Sequence, residues 1–146
     1  GYNYRMTDIQ AALGVSQMTR LNQYVTKRHE IAARYNELLQ HLPITLPWQH
    51  PDSYSAYHLY VIRLRADAPL GRDEVIQALS DRGIGTSVHY VPLHRHPYWR
   101  DRYQLTPEMF PQADAAYQAM ISIPLFTAMG DSDQDRVIAA LHEVLG

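Results

Sequence analysis

The sequence predicts an α+β fold in which helices cover a small antiparallel or mixed sheet. Apolar residues follow helical periodicity before residue 41 and after residue 130, and a β-branched and aromatic run at 57–64 is typical of a strand. Shorter helical and extended stretches alternate between them. The order is helix, strand, helix, strand, helix, short strand, helix, which favours one sheet with helices packed on it.

The first helix is predicted to be long. Thr7 and Gln10 are spaced as a capping box at its start, and helical periodicity continues to about Gln40 with a break near Asn22. The positions expected to be buried are Ile9, Leu13, Leu21, Val25, Ile31, Tyr35, Leu38 and Leu39.

In the middle of the chain, the sequence predicts a loop at 42–54, a strand at 57–64 that contains His58, and a helix over 72–82. Gly83 suits the left-handed residue that closes this helix, with Ile84 folding back on Leu79.

A short strand is expected at 86–89 and an irregular stretch at 90–109. Pro111 then starts a helix that runs through Met120. Residues 122–125 are extended as an edge strand, and Asp131 caps the last helix. We divide the chain into a leading helix that serves as a linker, residues 1–41, and an α+β domain, residues 42–146.

Composition restricts the classes of function. The 146 residues carry a net charge of −2 and no cysteine, and no apolar run is long enough to span a bilayer. These features argue against nucleic-acid binding, membrane insertion, disulfides and cysteine-based catalysis. The chain opens on Gly1 without a signal-peptide pattern, so we expect it to begin within a longer, cytoplasmic protein.

Two segments are candidate binding sites. Asn3 and Arg5 lie just before a capped helix, where an amide and a guanidinium can bind an anion. The alternative is an ordinary helix lead-in with a solvated arginine, which the spacing alone favours. Residues 89–99 combine three histidines, one arginine and several aromatic rings that can contact a sugar or a phosphate. The alternatives are histidines hydrogen-bonded internally, or a metal site at His89, His94 and His96, which has no obvious carboxylate partner.

Lys27 is the one lysine of the chain and lies in a charged helical run. A lysine that forms a Schiff base is normally desolvated or set beside another cation. Nothing in the sequence around Lys27 indicates either condition, so we expect it to face solvent.

Four stretches together resemble the DegT/DnrJ/EryC1/StrS family. Residues 1–12 are similar to its G-x-N-x-R-M-x-x-x-Q-A-A segment, and residues 55–62 to its S-x-x-H-L-Y strand. Residues 83–94 are similar to G-I-x-T-x-x-H-Y-x-P-L-H, and residues 122–125 to S-L-P-L. Their order and spacing match along essentially the whole chain.

The resemblance implies the C-terminal small domain of a fold-type I enzyme. Most such enzymes are homodimeric aminotransferases that use pyridoxal 5'-phosphate (PLP) to move an amino group, usually from glutamate, to a nucleotide-linked keto sugar. The resemblance implies that Asn3 reaches the PLP phosphate of the partner subunit and that Arg5 belongs to the same site. It also implies that His89, Tyr90 and His94 border the nucleotide-sugar site.

The family's cofactor-binding lysine belongs to a segment that precedes the matched motifs. We therefore expect no catalytic residue and no metal site in this chain, and no activity from it alone. Two alternatives stay open: part of a PLP-dependent sugar dehydratase, or a non-catalytic domain for sugar-nucleotide binding or dimerisation. The sugar and the carbon that receives the amine are not encoded in any motif we recognise.

Overall fold

A computed structural model describes residues 4–146 of the chain. Within that range six α-helices and three β-strands follow one another, with 3₁₀ turns at Leu93–Arg95 and Pro107–Met109. The elements are α1 (Asp8–Met18), α2 (Leu21–Leu39), β1 (Ile44–Thr45), β2 (Tyr60–Leu64), α3 (Arg72–Asp81), α4 (Pro97–Tyr103), α5 (Pro111–Ala119), β3 (Met120–Ile123) and α6 (Asp131–Leu145).

The sheet is antiparallel, with β2 between β1 and β3. Ile44 is paired with Leu64, and Ile62 with Ile121. This confirms the predicted α+β class. Of the two predicted sheet types, antiparallel and mixed, the structure has the antiparallel one. The free side of β3 forms one further bridge, from Ser122 to Ser87, so the short strand expected at 86–89 is reduced to a single bridge.

The core lies where α2, α3 and α6 pack over the sheet. Leu39, Leu79 and Leu141 are fully buried in it, and each contributes about 1.5–3 kcal/mol by leaving water. Tyr60 and Ile62 supply the buried face of β2. The second half of α2 therefore packs with residues that follow residue 41, while the division of the chain at that point stays a prediction.

The end of α3 has the predicted Schellman geometry. Gly83 has φ +73°, its N–H donates to the Ser80 carbonyl over 2.9 Å, and the Ile84 N–H donates to the Leu79 carbonyl over 2.9 Å. Ile84 is buried, as expected. Glycine takes this left-handed conformation without the steric penalty of a Cβ.

The predicted long helix is broken, because α1 ends at Met18 and α2 begins at Leu21, close to the expected break at Asn22. The prediction that Ile9, Leu13 and Leu21 are buried is wrong for this chain, since they are 85%, 62% and 42% exposed. No described element packs over α1, and none of its residues is buried. Leu38 is likewise exposed at 37%, on the outer side of α2.

Several boundaries differ from the prediction. The predicted loop at 42–54 contains β1, and β3 begins at Met120 rather than at residue 122. β2 begins at Tyr60 rather than residue 57, because Tyr57 has φ 42° and cannot continue a ladder; His58 is therefore exposed and lies outside the strand. The stretch 90–109 contains α4, with Pro97 in its first turn and left-handed Gln104 at its end. Gly130, not Asp131, is the N-cap of α6, and its N–H donates to the Asp133 carboxylate over 3.0 Å.

Among the residues that the structure describes, no helix has both the length and the apolar character needed to cross a membrane.

Candidate functional site

The histidine and aromatic stretch begins two residues after Ser87, which forms a bridge to Ser122 of β3. Ser87 and Ser122 exchange two backbone hydrogen bonds of 3.1 and 2.8 Å, and the His89 ring nitrogen Nδ1 lies 2.8 Å from the Ser122 hydroxyl. Ser122 is buried. The first residue of the stretch is therefore fixed to the sheet by both backbone and side chain.

The next residues face solvent. Tyr90, Val91 and Leu93 are 74%, 42% and 66% exposed, and the Tyr90 ring meets the His89 ring edge-on with centroids 4.8 Å apart. A phenol held this way combines a stacking surface with a hydrogen-bonding tip. Of His89, Tyr90 and His94, Tyr90 is therefore the residue most open to a ligand.

His94 points inward. Its side chain is 4% exposed, it stacks on Phe110 with centroids 5.0 Å apart, and its Nε2 lies 3.3 Å from the Asp114 carboxylate. The structure therefore brings His89, Tyr90 and His94 into one loop but gives their rings different surroundings. Contact of each with a substrate stays a prediction.

Asp114 joins the loop to α5. One of its carboxylate oxygens lies 2.6 Å from Arg95 Nε as well as 3.3 Å from the His94 ring, and its side chain is 19% exposed. The hydrogen bond from Arg95 holds the pKa of Asp114 below its ordinary value, and the contact with His94 acts in the same direction. The carboxylate is therefore ionised throughout the neutral range.

Asp114 was missed in the sequence because it lies 20 positions after His94. It sits in the first turn of a helix, where an acidic residue needs no partner to be favourable. The one available signal was the His94–Arg95 pair, two groups that require an acceptor if they are buried. This requirement does not indicate which acidic residue of the chain is the acceptor.

The third histidine closes the loop on itself, since His96 Nε2 lies 3.1 Å from the Val91 carbonyl oxygen. Within residues 4–146, no group of three or more histidine, aspartate or glutamate side chains is arranged to hold a metal ion.

The candidate anion site at the start of the chain is described in part. Asn3 lies outside the described residues, and Arg5 is exposed. The predicted capping box of α1 is confirmed: the Thr7 hydroxyl accepts from the Gln10 N–H over 3.3 Å, and the Thr7 N–H donates to the Gln10 side chain over 2.9 Å. Binding of the PLP phosphate by Asn3 and Arg5 stays a prediction.

The surroundings of Lys27 differ from those of a typical cofactor-binding lysine. The Lys27 amine is 3.3 Å from the Glu30 carboxylate, and its side chain is 38% exposed. A cofactor-binding lysine lies in a pocket that excludes water. This chain's own lysine therefore does not fit that role.

Comparison with known proteins identifies the family. The profile of the DegT/DnrJ/EryC1/StrS aminotransferase family matches residues 1–142. The spore coat polysaccharide biosynthesis protein SpsC of Bacillus subtilis (strain 168) is 40% identical over 148 residues, which is 99% of this chain and 38% of SpsC.

Solved structures agree with this match. PseC of Helicobacter pylori, an aminotransferase involved in the biosynthesis of pseudoaminic acid, aligns with a TM-score of 0.87 and 26% identity over 99% of this chain and 39% of PseC. DesV of S. venezuelae aligns with a TM-score of 0.84 and 32% identity over 95% of this chain and 36% of DesV. This chain thus spans less than half the length of each relative. It belongs to the DegT/DnrJ/EryC1/StrS aminotransferase family.

Proposed function

We propose that this chain is the C-terminal part of a longer PLP-dependent aminotransferase, which we call the complete protein. The proposed reaction transfers an amino group from glutamate to a nucleotide-linked keto sugar. The observation that carries this proposal is the family match over residues 1–142, together with a TM-score of 0.87 to an aminotransferase over 99% of the chain.

The proposed cofactor is PLP, which supplies the electron sink for amino transfer when it is bound. A PLP form of the related Spr1654 from Streptococcus pneumoniae supports this choice, at a TM-score of 0.85 and 28% identity. The exposed position of Lys27 supports a covalent attachment site elsewhere in the complete protein. The chain alone would then be inactive.

In this proposal the loop at 89–94 binds the nucleotide-sugar substrate. Tyr90 offers its ring and hydroxyl to the nucleotide sugar, and His89, fixed by Ser122, supports the Tyr90 ring. Asn3 and Arg5 would contribute to the PLP phosphate site of the partner subunit in a homodimer. We place the complete protein in the cytoplasm and, by analogy with SpsC, in polysaccharide biosynthesis.

The test separates the two half-reactions in the complete protein. Added glutamate should change the absorbance spectrum of the PLP-loaded protein. A nucleotide-linked keto sugar should then reverse this change, and mass spectrometry should detect an amino sugar as the product. A dehydrated sugar without incorporated amine would instead indicate a dehydratase. Binding of the nucleotide sugar with no turnover would indicate a non-catalytic domain.

A further inference from the structure

The exposed part of the 89–94 loop is held at both ends by one structural unit, α5 and the strand that follows it. Ser122, on β3, fixes His89 at the first end. Asp114, on α5, fixes His94 and Arg95 at the second end. Because α5 ends at Ala119 and β3 begins at Met120, the two anchors belong to a continuous stretch of chain. The segment between them is the one that faces solvent.

The second anchor depends on charge. Arg95 and Arg72 both lie against the ring of Tyr117, with guanidinium carbons 5.2 and 4.6 Å from its centroid. Asp114 is one helical turn before Tyr117 and is the partly buried anion at this point. If it were removed, Arg72 would keep the Asp73 carboxylate at 2.7 Å, but Arg95 and His94 would have no carboxylate to accept their hydrogen bonds. This loss favours displacement of the turn that carries them.

We propose that Asp114 is a positioning residue for the sugar half-reaction, an inference that rests on the proposed function. Its carboxylate fixes the turn at Leu93–Arg95 on α5, and this fixes the position at which Tyr90 meets the nucleotide sugar. A binding group that is held in place before the ligand arrives loses little conformational entropy on binding. A displacement of about 1 Å at such a site can cost up to about 100-fold in rate.

The first experiment compares D114A, D114E and wild type in the complete protein. We expect D114A to raise the KM for the nucleotide sugar up to about tenfold, because a Tyr90 that is no longer held in place loses more conformational entropy on binding. The glutamate half-reaction should stay within about twofold of wild type, because no glutamate contact is assigned to this loop. D114E keeps the charge and should recover most of the loss.

The matched control is D101A. Asp101 is also an aspartate paired with an arginine, at 2.8 Å from Arg100 Nε, but it is 66% exposed on α4. Its hydrogen-bond partners Arg100 and Gln104 lie outside the 89–94 loop. It should leave both half-reactions unchanged. If D114A slows both half-reactions equally and lowers the melting temperature, Asp114 serves the fold as a whole and the positioning role is wrong.

A second experiment needs no activity. The amides of Arg95 and His96 are protected by hydrogen bonds of 2.9 and 3.1 Å to Pro92 and Leu93. In the 146-residue chain, D114A should speed hydrogen exchange at these amides while α6 keeps its protection. Unchanged exchange would refute the positioning role. Faster exchange in a complete protein without any transamination would support the anchor and refute the proposed function instead.

Discussion

Tyr35 and Tyr60 are the largest side chains fully buried in the described part of the chain, and the hydroxyl of each donates to an oxygen acceptor. Tyr35 donates to the Pro124 carbonyl over 2.8 Å, and Tyr60 donates to the Asn36 side chain over 2.6 Å. The centroids of their rings are 5.0 Å apart. Burial raises the pKa of both phenols above the ordinary value, since an ionised phenol would lose its hydration.

This predicts a loss of stability in alkali. The unfolded chain releases phenolic protons near pH 10, whereas the folded chain holds them to higher pH. The stabilisation is therefore complete below about pH 10 and is lost as the pH rises above it. Y35F should cost about 1–3 kcal/mol at pH 7, because the Pro124 carbonyl loses its donor. It should also reduce the alkaline slope by about 1.4 kcal/mol per pH unit.

The measurement is urea unfolding at several pH values between 8 and 11. Y103F is the control, because Tyr103 is 55% exposed and should change neither quantity. Identical alkaline slopes for wild type and Y35F would show that Tyr35 ionises equally in both states.

At the scale of elements, α2 is divided between two environments. Its first half follows α1 and has no buried residue, and its second half packs against α6 through Ile31, Tyr35 and Leu39. His142 of α6 reaches the Leu38 carbonyl over 2.9 Å, and Gln134 donates to the Ile31 carbonyl over 2.8 Å. The α2–α6 contact therefore combines apolar packing with side-chain bonds to the α2 backbone.

Two adjacent leucines test this contact. L39A should destabilise the chain by about 2–5 kcal/mol, because it leaves a cavity at a fully buried position. L38A removes the same atoms from a side chain that is 37% exposed and should cost less than half as much. Urea unfolding measures both. An equal cost at the two positions would mean that α2 is not oriented on α6 as described.

Elements with strong local signals could be predicted from the sequence, and contacts between distant elements could not. The break between α1 and α2, the Schellman end of α3 and the proline start of α5 all follow from residues within one or two turns. The seven-residue helix α4 is too short to show periodicity. The His94–Asp114 contact depends on how α5 packs, which no local pattern encodes.

At the scale of the whole molecule, one end of the chain is apolar and uncovered by the described residues. Met6, Ile9 and Leu13 are 68%, 85% and 62% exposed, and an open groove lined by Leu21, Val25 and Tyr54 continues this surface beyond α1. Contiguous apolar surface of this kind normally marks an interface. In the complete protein we expect other parts of the enzyme to cover it.

The isolated 146-residue chain should therefore self-associate. L13K places a charge in the uncovered surface and should shift the sedimentation profile towards monomer. Q118K adds the same charge at an exposed polar position of α5 and should leave the association unchanged. A clean, folded monomer of the wild-type chain at high concentration would contradict this expectation.

We propose that this chain is one part of a PLP enzyme whose cofactor-binding lysine lies outside residues 1–146. The most direct test is to incubate the complete protein with PLP, reduce it with borohydride and locate the modified lysine by peptide mass. We predict one stoichiometric adduct on a lysine outside this chain, and none on the isolated chain. A stoichiometric adduct on Lys27 that disappears in K27A, or no adduct anywhere in the complete protein, would contradict the claim.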